Sequence, residues 1–158
     1  MILIAQGICL LFLALWLTTG VRDNLLYPQV NEMFTTEVMG LTRMRSEYPE
    51  AYEMIAHRRV ISRYRQRLVF RLAVAWELLS VIALWIGVGC LAAAILGAMS
   101  ADVARAVAMG AALMFTTIWA MFLIVGNHFN YWLCHEGAQN THYQMTLWGL
   151  GTLIFLAL

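Results

Sequence analysis

The sequence predicts an all-α integral membrane protein, built as an antiparallel four-helix bundle with an amphipathic extramembrane helix between the first two spans. The first observation is composition, since 62% of the 158 residues are hydrophobic, 12% are charged and the mean hydropathy is +0.72. Soluble domains carry about 25% charged residues. Charges this sparse would leave large apolar patches in contact with water. The second observation is four apolar segments of bilayer-crossing length, and the third is that nine of the ten basic residues lie between Arg22 and Arg71.

Each predicted span follows from its apolar length, because about 20 helical residues cross about 30 Å of hydrocarbon. The first span has no basic stretch before it, and we expect a retained helix rather than a cleaved signal peptide. We assign residues 1–158 to a single membrane domain. The spans are predicted at residues 2–21, 68–97, 103–126 and 143–158, with a long polar connection at 22–67.

The second and third spans are predicted to form a tight antiparallel hairpin, because only residues 97–102 join them. Ser100 or Asp102 would cap the third span. Small residues recur at every fourth position on both helices, a spacing that lets two membrane helices approach closely. These residues are Gly89, Ala93 and Gly97 on one helix and Ala104, Ala108 and Ala112 on the other.

The long connection combines an irregular start with a helical second half. Asn24, Pro28 and Asn31 predict the irregular start. From about Ser46 the pattern becomes helical, with Ser46 as a cap and Pro49 in the first turn. Tyr48, Tyr52 and Ile55 then recur at helical spacing.

Four arginines follow this segment at intervals of four residues, which places them on one stripe of a helix: Arg59, Arg63, Arg67 and Arg71. Like charges at this spacing destabilise an isolated helix. Phosphate head groups or an acidic partner subunit would offset the repulsion, and we predict lipid or partner contact here. The alternative is a solvated helix whose arginines extend from the membrane surface.

Glu77 is the first candidate site residue, because a carboxylate within a span is costly to bury and usually faces the bundle interior with a partner. It belongs to the side of the membrane that carries both polar connections, 22–67 and 127–142, hereafter the polar side. The expected partner is a histidine, Asn127 or Asn130, joined to Glu77 by a hydrogen bond.

A metal or proton site on the polar side is the sharper alternative, since histidine, carboxylate and thiolate are ligands for zinc, copper or iron. Haem b would need histidines facing each other within spans, whereas the histidines here lie at boundaries or in connections. Therefore no cofactor is predicted, and metal or haem b is retained as an alternative. The candidate metal ligands are Glu77, His128, His135 and His142, with Cys134 and Glu136 beside them.

Several short motifs together resemble the bacterial predicted small integral membrane protein family, domain of unknown function 2165. They are Asn24-Leu25, Ala75-Trp76-Glu77-Leu78, Trp85-Ile86-Gly87, Gly126, Phe129 and Trp132. The resemblance implies a multi-pass protein of the bacterial inner membrane whose long connection lies outside the cytoplasm. The arginines before the second span favour the opposite orientation by the positive-inside rule, and both orientations stay open.

No phosphate-binding loop, nucleophile elbow or zinc-protease motif occurs, so we predict no enzymatic activity. No nucleic-acid-reading motif accompanies the basic residues, and the predicted partners are the bilayer and other membrane subunits or a second copy. The leading hypothesis is a non-catalytic accessory or assembly subunit of a larger bacterial membrane complex, such as a respiratory or other energy-transducing one. The alternatives are a metal- or haem-binding redox protein and a homo-oligomeric channel or proton pathway through Glu77.

Overall fold

The computed structural model describes residues 1–158, which form helices and short connections with no strand. The all-α prediction is therefore confirmed. Two single 3₁₀ turns, Ala56–Arg58 and Tyr131–Leu133, interrupt the connections. The α-helices are α1 (Ile2–Leu26), α2 (Pro28–Gly40), α3 (Thr42–Glu47), α4 (Pro49–Ile55), α5 (Arg63–Ile95), α6 (Ala101–His128) and α7 (Glu136–Leu156).

Three helices, α1, α5 and α6, are long and apolar enough to cross a membrane. α1 and α6 contain the first and third predicted spans, whereas α5 begins five residues before the second predicted span and ends at Ile95, two residues short of its end. The fourth predicted span, 143–158, overlaps α7, which ends at Leu156 and is not among the three. The reason lies in its first turns, where Glu136, Gln139 and Asn140 lower the average hydropathy.

The long helices pack in chain order, with α1 against α5, α5 against α6 and α6 against α7. One apolar core runs between them. Its fully buried large side chains include Leu10, Leu13, Leu84, Phe115 and Leu156. The short turn at 96–100 makes α5 and α6 neighbours, as predicted, and Gly97 adopts a positive φ of 75° there. Ser100 occupies the N-cap position of α6, although its side chain makes no capping hydrogen bond.

Gly87 marks the closest approach of α5 to its neighbours. A Cβ at this position would lie 2.9 Å from Cδ2 of Leu10 and 3.2 Å from Cα of Ala108. The predicted small-residue stripe on α6 is buried there, since Ala104, Ala108 and Ala112 are all inaccessible. The stripe predicted on α5 was wrong, because Gly89 faces open space and the packed face of α5 passes through Gly87.

The connection between α1 and α5 is helical almost throughout, so the predicted irregular start was wrong. Pro28 begins α2 because proline fits a helix's first turn. Leu41 separates α2 from α3 with a left-handed backbone, φ 51° and ψ 30°. Pro49 begins α4 as predicted, whereas Ser46 lies inside α3 and does not cap α4. Three short helices thus replace the single amphipathic helix that the sequence predicts.

Residues 28–62 form a layer, hereafter the cap, that covers the connection between α6 and α7. A second apolar core joins the two: Met39, Leu41, Met44, Tyr52, Ile55, Phe129 and Cys134. Nη1 of Arg58 donates to the carbonyl oxygen of His128 at 2.9 Å. The two polar connections are therefore folded onto each other rather than projecting separately into water.

The predicted stripe of four arginines is shortened to three. Ser62 is the N-cap of α5, and its Oγ accepts from the backbone N–H of Arg65 at 3.4 Å. Arg59 lies before this N-cap residue, in non-helical backbone, and so is not part of the stripe. Arg63, Arg67 and Arg71 remain on α5 at intervals of four residues.

Candidate functional site

Glu77 is buried on α5 and is paired with a residue of α1. Nδ2 of Asn24 donates a hydrogen bond of 2.7 Å to Oε2 of Glu77. The expected partners, a histidine, Asn127 or Asn130, make no hydrogen bond to Glu77 in this structure. The expectation of a hydrogen-bonded partner was right, and the choice of partner was wrong. The reason is packing, because α5 presents its Glu77 face to the end of α1.

The Asn24 side chain also accepts a hydrogen bond from the cap. Nδ2 of Asn31, in the first turn of α2, donates to Oδ1 of Asn24 at 2.5 Å. Asn31, Asn24 and Glu77 thus form a chain of hydrogen bonds that joins α2, α1 and α5. A buried polar group is costly unless it is paired, so the bond from Asn24 to buried Glu77 stabilises the packing of α1 on α5, whereas the bond from Asn31 to Asn24 is exposed to solvent.

His142 lies on α7 within a group of aromatic rings. Tyr131 stacks on its ring with centroids 5.9 Å apart and planes 19° apart, and the Tyr131 hydroxyl lies 3.3 Å from Nδ1 of His142. Phe122 and Trp119 of α6 approach the same ring at 5.1 and 5.7 Å. Burial raises the pKa of the Tyr131 phenol to about 12, so the hydroxyl stays protonated and available to donate. Nδ1 of His142 is therefore enclosed by aromatic side chains.

His135 and Cys134 are both buried where the cap meets the 129–135 connection. Burial lowers the pKa of His135, and the nearby Arg43 guanidinium lowers it further. Burial also raises the pKa of the Cys134 thiol. They share a cavity of about 10 Å³ with Glu37 and Tyr131. That volume is about one water molecule, so the site as it stands holds no larger ligand.

The four predicted metal ligands are not brought together. Glu77 is engaged by Asn24, His142 is enclosed by aromatic rings, and His135 lies under the cap. His128 is exposed at the end of α6 with its ring against Phe129, 4.9 Å between centroids. No three His, Cys, Asp or Glu side chains lie close enough to hold a metal ion. The metal hypothesis therefore stays a prediction with no ligand cluster to support it.

Of the four arginines predicted to contact lipid or a partner, two make side-chain hydrogen bonds within the chain and two do not. Nη1 of Arg59 donates to the Tyr52 hydroxyl at 2.9 Å, and Nε of Arg67 donates to Oε1 of Glu32 at 2.9 Å. Arg63 and Arg71 are exposed and enter no ion pair. Arg63 and Arg71 are therefore the members available to an anionic partner.

An open polar groove of about 400 Å³ separates α2 from the start of α5. Its walls carry both signs of charge, since Glu32 and Glu37 face Arg63 and Arg67 across it. Gln29, Met33, Thr36 and Thr42 complete the lining. Mixed charge does not select an anion, and the groove is wide enough to remain hydrated.

The sequence reasoning missed three features of the site. These are the hydrogen bonds made by Asn31 and by Arg58, and the pairing of Asn24 with Glu77. Asn24 was visible as a motif residue, and its position at the end of the first span could have indicated proximity to Glu77. Asn31 and Arg58 carried no such signal, because both make contacts that depend on how the cap folds back.

The fold and the chain of hydrogen bonds that ends at buried Glu77 define a helical integral membrane protein with a polar side that is folded into a compact layer. Residues 2–158 match the family model described as "Predicted small integral membrane protein (DUF2165)". The chain belongs to this family, as the motif resemblance implies. No curated protein and no solved structure matches the chain.

Proposed function

We propose that this protein is a non-catalytic accessory or assembly subunit of a larger complex in the bacterial inner membrane, with no resident cofactor. Its four long helices form an antiparallel bundle with α7 as the fourth span. Twenty-one residues make α7 about 31 Å long, and the 16 residues that follow Asn140 make up about 24 Å of it, a short span for a hydrocarbon core of about 30 Å. Burial of Gly149, Thr152 and Leu156 against the other helices supports this role for α7.

The observation that carries the docking proposal is a set of apolar side chains exposed at the end of α5 that projects beyond the membrane. With 33 residues, α5 is about 50 Å long, so its first turns extend about 20 Å past the hydrocarbon. Tyr64 in the first turn of α5 is 75% exposed, and Ile61, two residues before the helix begins, is 70% exposed. Aromatic residues, methionine and arginine are enriched in protein interfaces.

The arginines add charge to this surface. Arg63 and Arg65 flank Tyr64 in sequence, and all three are exposed. Exposed apolar groups beside unpaired cations suit a partner that presents an apolar patch with an acidic rim. Arg71, nearer the membrane, suits phosphate head groups instead.

Site-specific photo-crosslinking in living cells tests the proposal. Tyr64 is replaced by p-benzoyl-phenylalanine, and Tyr143, an exposed tyrosine at the end of the second turn of α7, receives the same replacement as a matched control. We expect one discrete protein adduct, heavier than a dimer of this chain, from position 64 and not from position 143. The second substitution Ile61→Ser should weaken that adduct while leaving expression unchanged.

Two outcomes contradict the proposal. An adduct with the mass of a dimer would assign the surface around Tyr64 to self-association. Absence of any protein adduct, in protein that inserts and folds normally, would leave the exposed surface without a partner and the accessory role without support.

A further inference from the structure

The outward face of α2 carries apolar side chains outside the spans. Val30 and Phe34 are 57% and 48% exposed, and they lie on one side of the helix at four-residue spacing. Met33, 52% exposed, lies at the edge of this face and also lines the polar groove. The opposite side is occupied, because Met39 is buried and Glu32 pairs with Arg67. The exposed face is therefore a helix surface with no partner in the folded chain.

The position of this face relative to α1 limits what can cover it. Only Tyr27 separates the end of α1 from the start of α2. The hydrogen bond from Asn31 to Asn24 holds the first turn of α2 against the last turn of α1. Phe34 is seven residues beyond Tyr27, so it lies at most about 10 Å from the end of α1.

The end of α1 presents exposed apolar side chains as well. Leu25, Leu26 and Tyr27 are exposed, and α1 is one of the three membrane-crossing helices. These side chains bring exposed apolar surface close to α2, beyond the exposed ion pair of Arg22 and Asp23 on α1. Tyrosine is enriched at the boundary between hydrocarbon and water, where Tyr27 would lie.

We propose that α2 is an interfacial helix that inserts Val30 and Phe34 into the boundary between the acyl chains and the head groups of the bilayer. A surface helix with one apolar face lies in the membrane plane and buries that face by about 5–10 Å. The chain of hydrogen bonds from Asn31 through Asn24 to Glu77 sets the depth of the helix, because it ties α2 to two spans. This inference does not depend on the accessory role, since it concerns lipid and a different surface from the one around Tyr64.

The test is a depth measurement by electron paramagnetic resonance on full-length protein in vesicles of phosphatidylcholine and phosphatidylglycerol at 3:1. A nitroxide is attached at Phe34→Cys in a background in which Cys9, Cys90 and Cys134 are replaced by alanine. Tyr64→Cys provides the water reference and Phe12→Cys, on the exposed side of α1, the lipid reference. Collisions with oxygen report lipid, and collisions with a soluble nickel chelate report water.

We expect the oxygen-to-nickel accessibility ratio at position 34 to shift away from the Tyr64 value and to fall between the two references. A ratio equal to that at Tyr64 would overturn the proposal, because the face would then lie in water. An immobilised label with low access to both reagents would also overturn it, since protein rather than lipid would cover the face. If Phe34→Cys fails to fold, Val30→Cys reports on the same face.

Discussion

Gly149 is the position where one added methyl group tests the packing of α7 most directly. A Cβ on Gly149 would overlap Oγ1 of Thr116 and would lie 3.2 Å from Cδ1 of Phe115. Neither neighbour moves freely. The Thr116 hydroxyl donates to the Ala112 carbonyl at 2.7 Å, and Phe115 is fully buried. Accommodating Gly149→Ala therefore requires α6 and α7 to separate or Thr116 to give up its hydrogen bond.

Two opposing effects set the magnitude. Overpacking a well-filled interior costs about 1–3 kcal/mol, and alanine is favoured over glycine in a helix by up to about 1 kcal/mol. Gly151→Ala, on the same helix with nothing within 4 Å of its added Cβ, carries only the second effect. Helix propensity cancels between the two variants, so Gly149→Ala should be less stable than Gly151→Ala by about 1–3 kcal/mol, roughly 5- to 150-fold in the unfolding equilibrium.

The assay is reversible unfolding of detergent-purified protein by titration with sodium dodecyl sulfate, followed by far-ultraviolet circular dichroism. Removing the obstructing hydroxyl with Thr116→Ala should recover part of the loss in the Gly149→Ala background. Equal stability of the two alanine variants would refute the reasoning, because α7 would then not be packed on α6 as an inner helix of the bundle.

Three further predictions concern the polar side. Asn24→Ala and Glu77→Ala should show a coupling energy of about 1–3 kcal/mol in a double-mutant cycle of unfolding, because each removes the partner of the other. The free energy of unfolding should fall as the pH drops below 6.5. Burial lowers the pKa of His135 in the folded protein, so the unfolded chain takes up a proton on this imidazole at a higher pH than the folded chain does. His135→Gln removes this imidazole and should make the fall shallower. Cys134 should react with a maleimide more slowly than a cysteine at the exposed Tyr64 position, because Cys134 is only 5% exposed and burial raises the pKa of its thiol.

Each of these has an outcome that contradicts it. A control cycle pairs Glu77→Ala with Asn127→Ala. Coupling in this control cycle, and none between Glu77 and Asn24, would show that the partner expected from the sequence was correct. Unfolding curves whose pH slopes coincide in wild type and His135→Gln would show that the imidazole is hydrated in the folded protein. Rapid maleimide labelling of Cys134 in the native state would mean that the cap does not cover the 129–135 connection.

Much of the fold was predictable because hydropathy and hairpin length are local properties of the chain. The short turn at 96–100 makes α5 and α6 neighbours whatever else the chain does. The predicted secondary structure was wrong where one residue type is compatible with two local structures. Pro28 is both a turn former and an excellent first residue of a helix, and the structure uses it as the latter.

The candidate site was less predictable, because site geometry depends on which way each helix faces. Glu77 was identified correctly as a buried carboxylate in need of a partner, but many polar residues share its side of the membrane. The choice of Asn24 depends on the rotation of α5 about its axis. Similarly, His128 and His135 do not share a helix, because the 3₁₀ turn at Tyr131–Leu133 lies between them.

By itself, the sequence determined that this is a helical membrane protein whose charges gather on one side, because transfer of apolar residues into lipid adds up along the chain. Only the tertiary structure decided that the cap covers Cys134 and His135 and that α2 turns Val30 and Phe34 outward. Those facts follow from side-chain packing between segments far apart in the chain. Such packing depends on distances and helix rotations that no local pattern specifies.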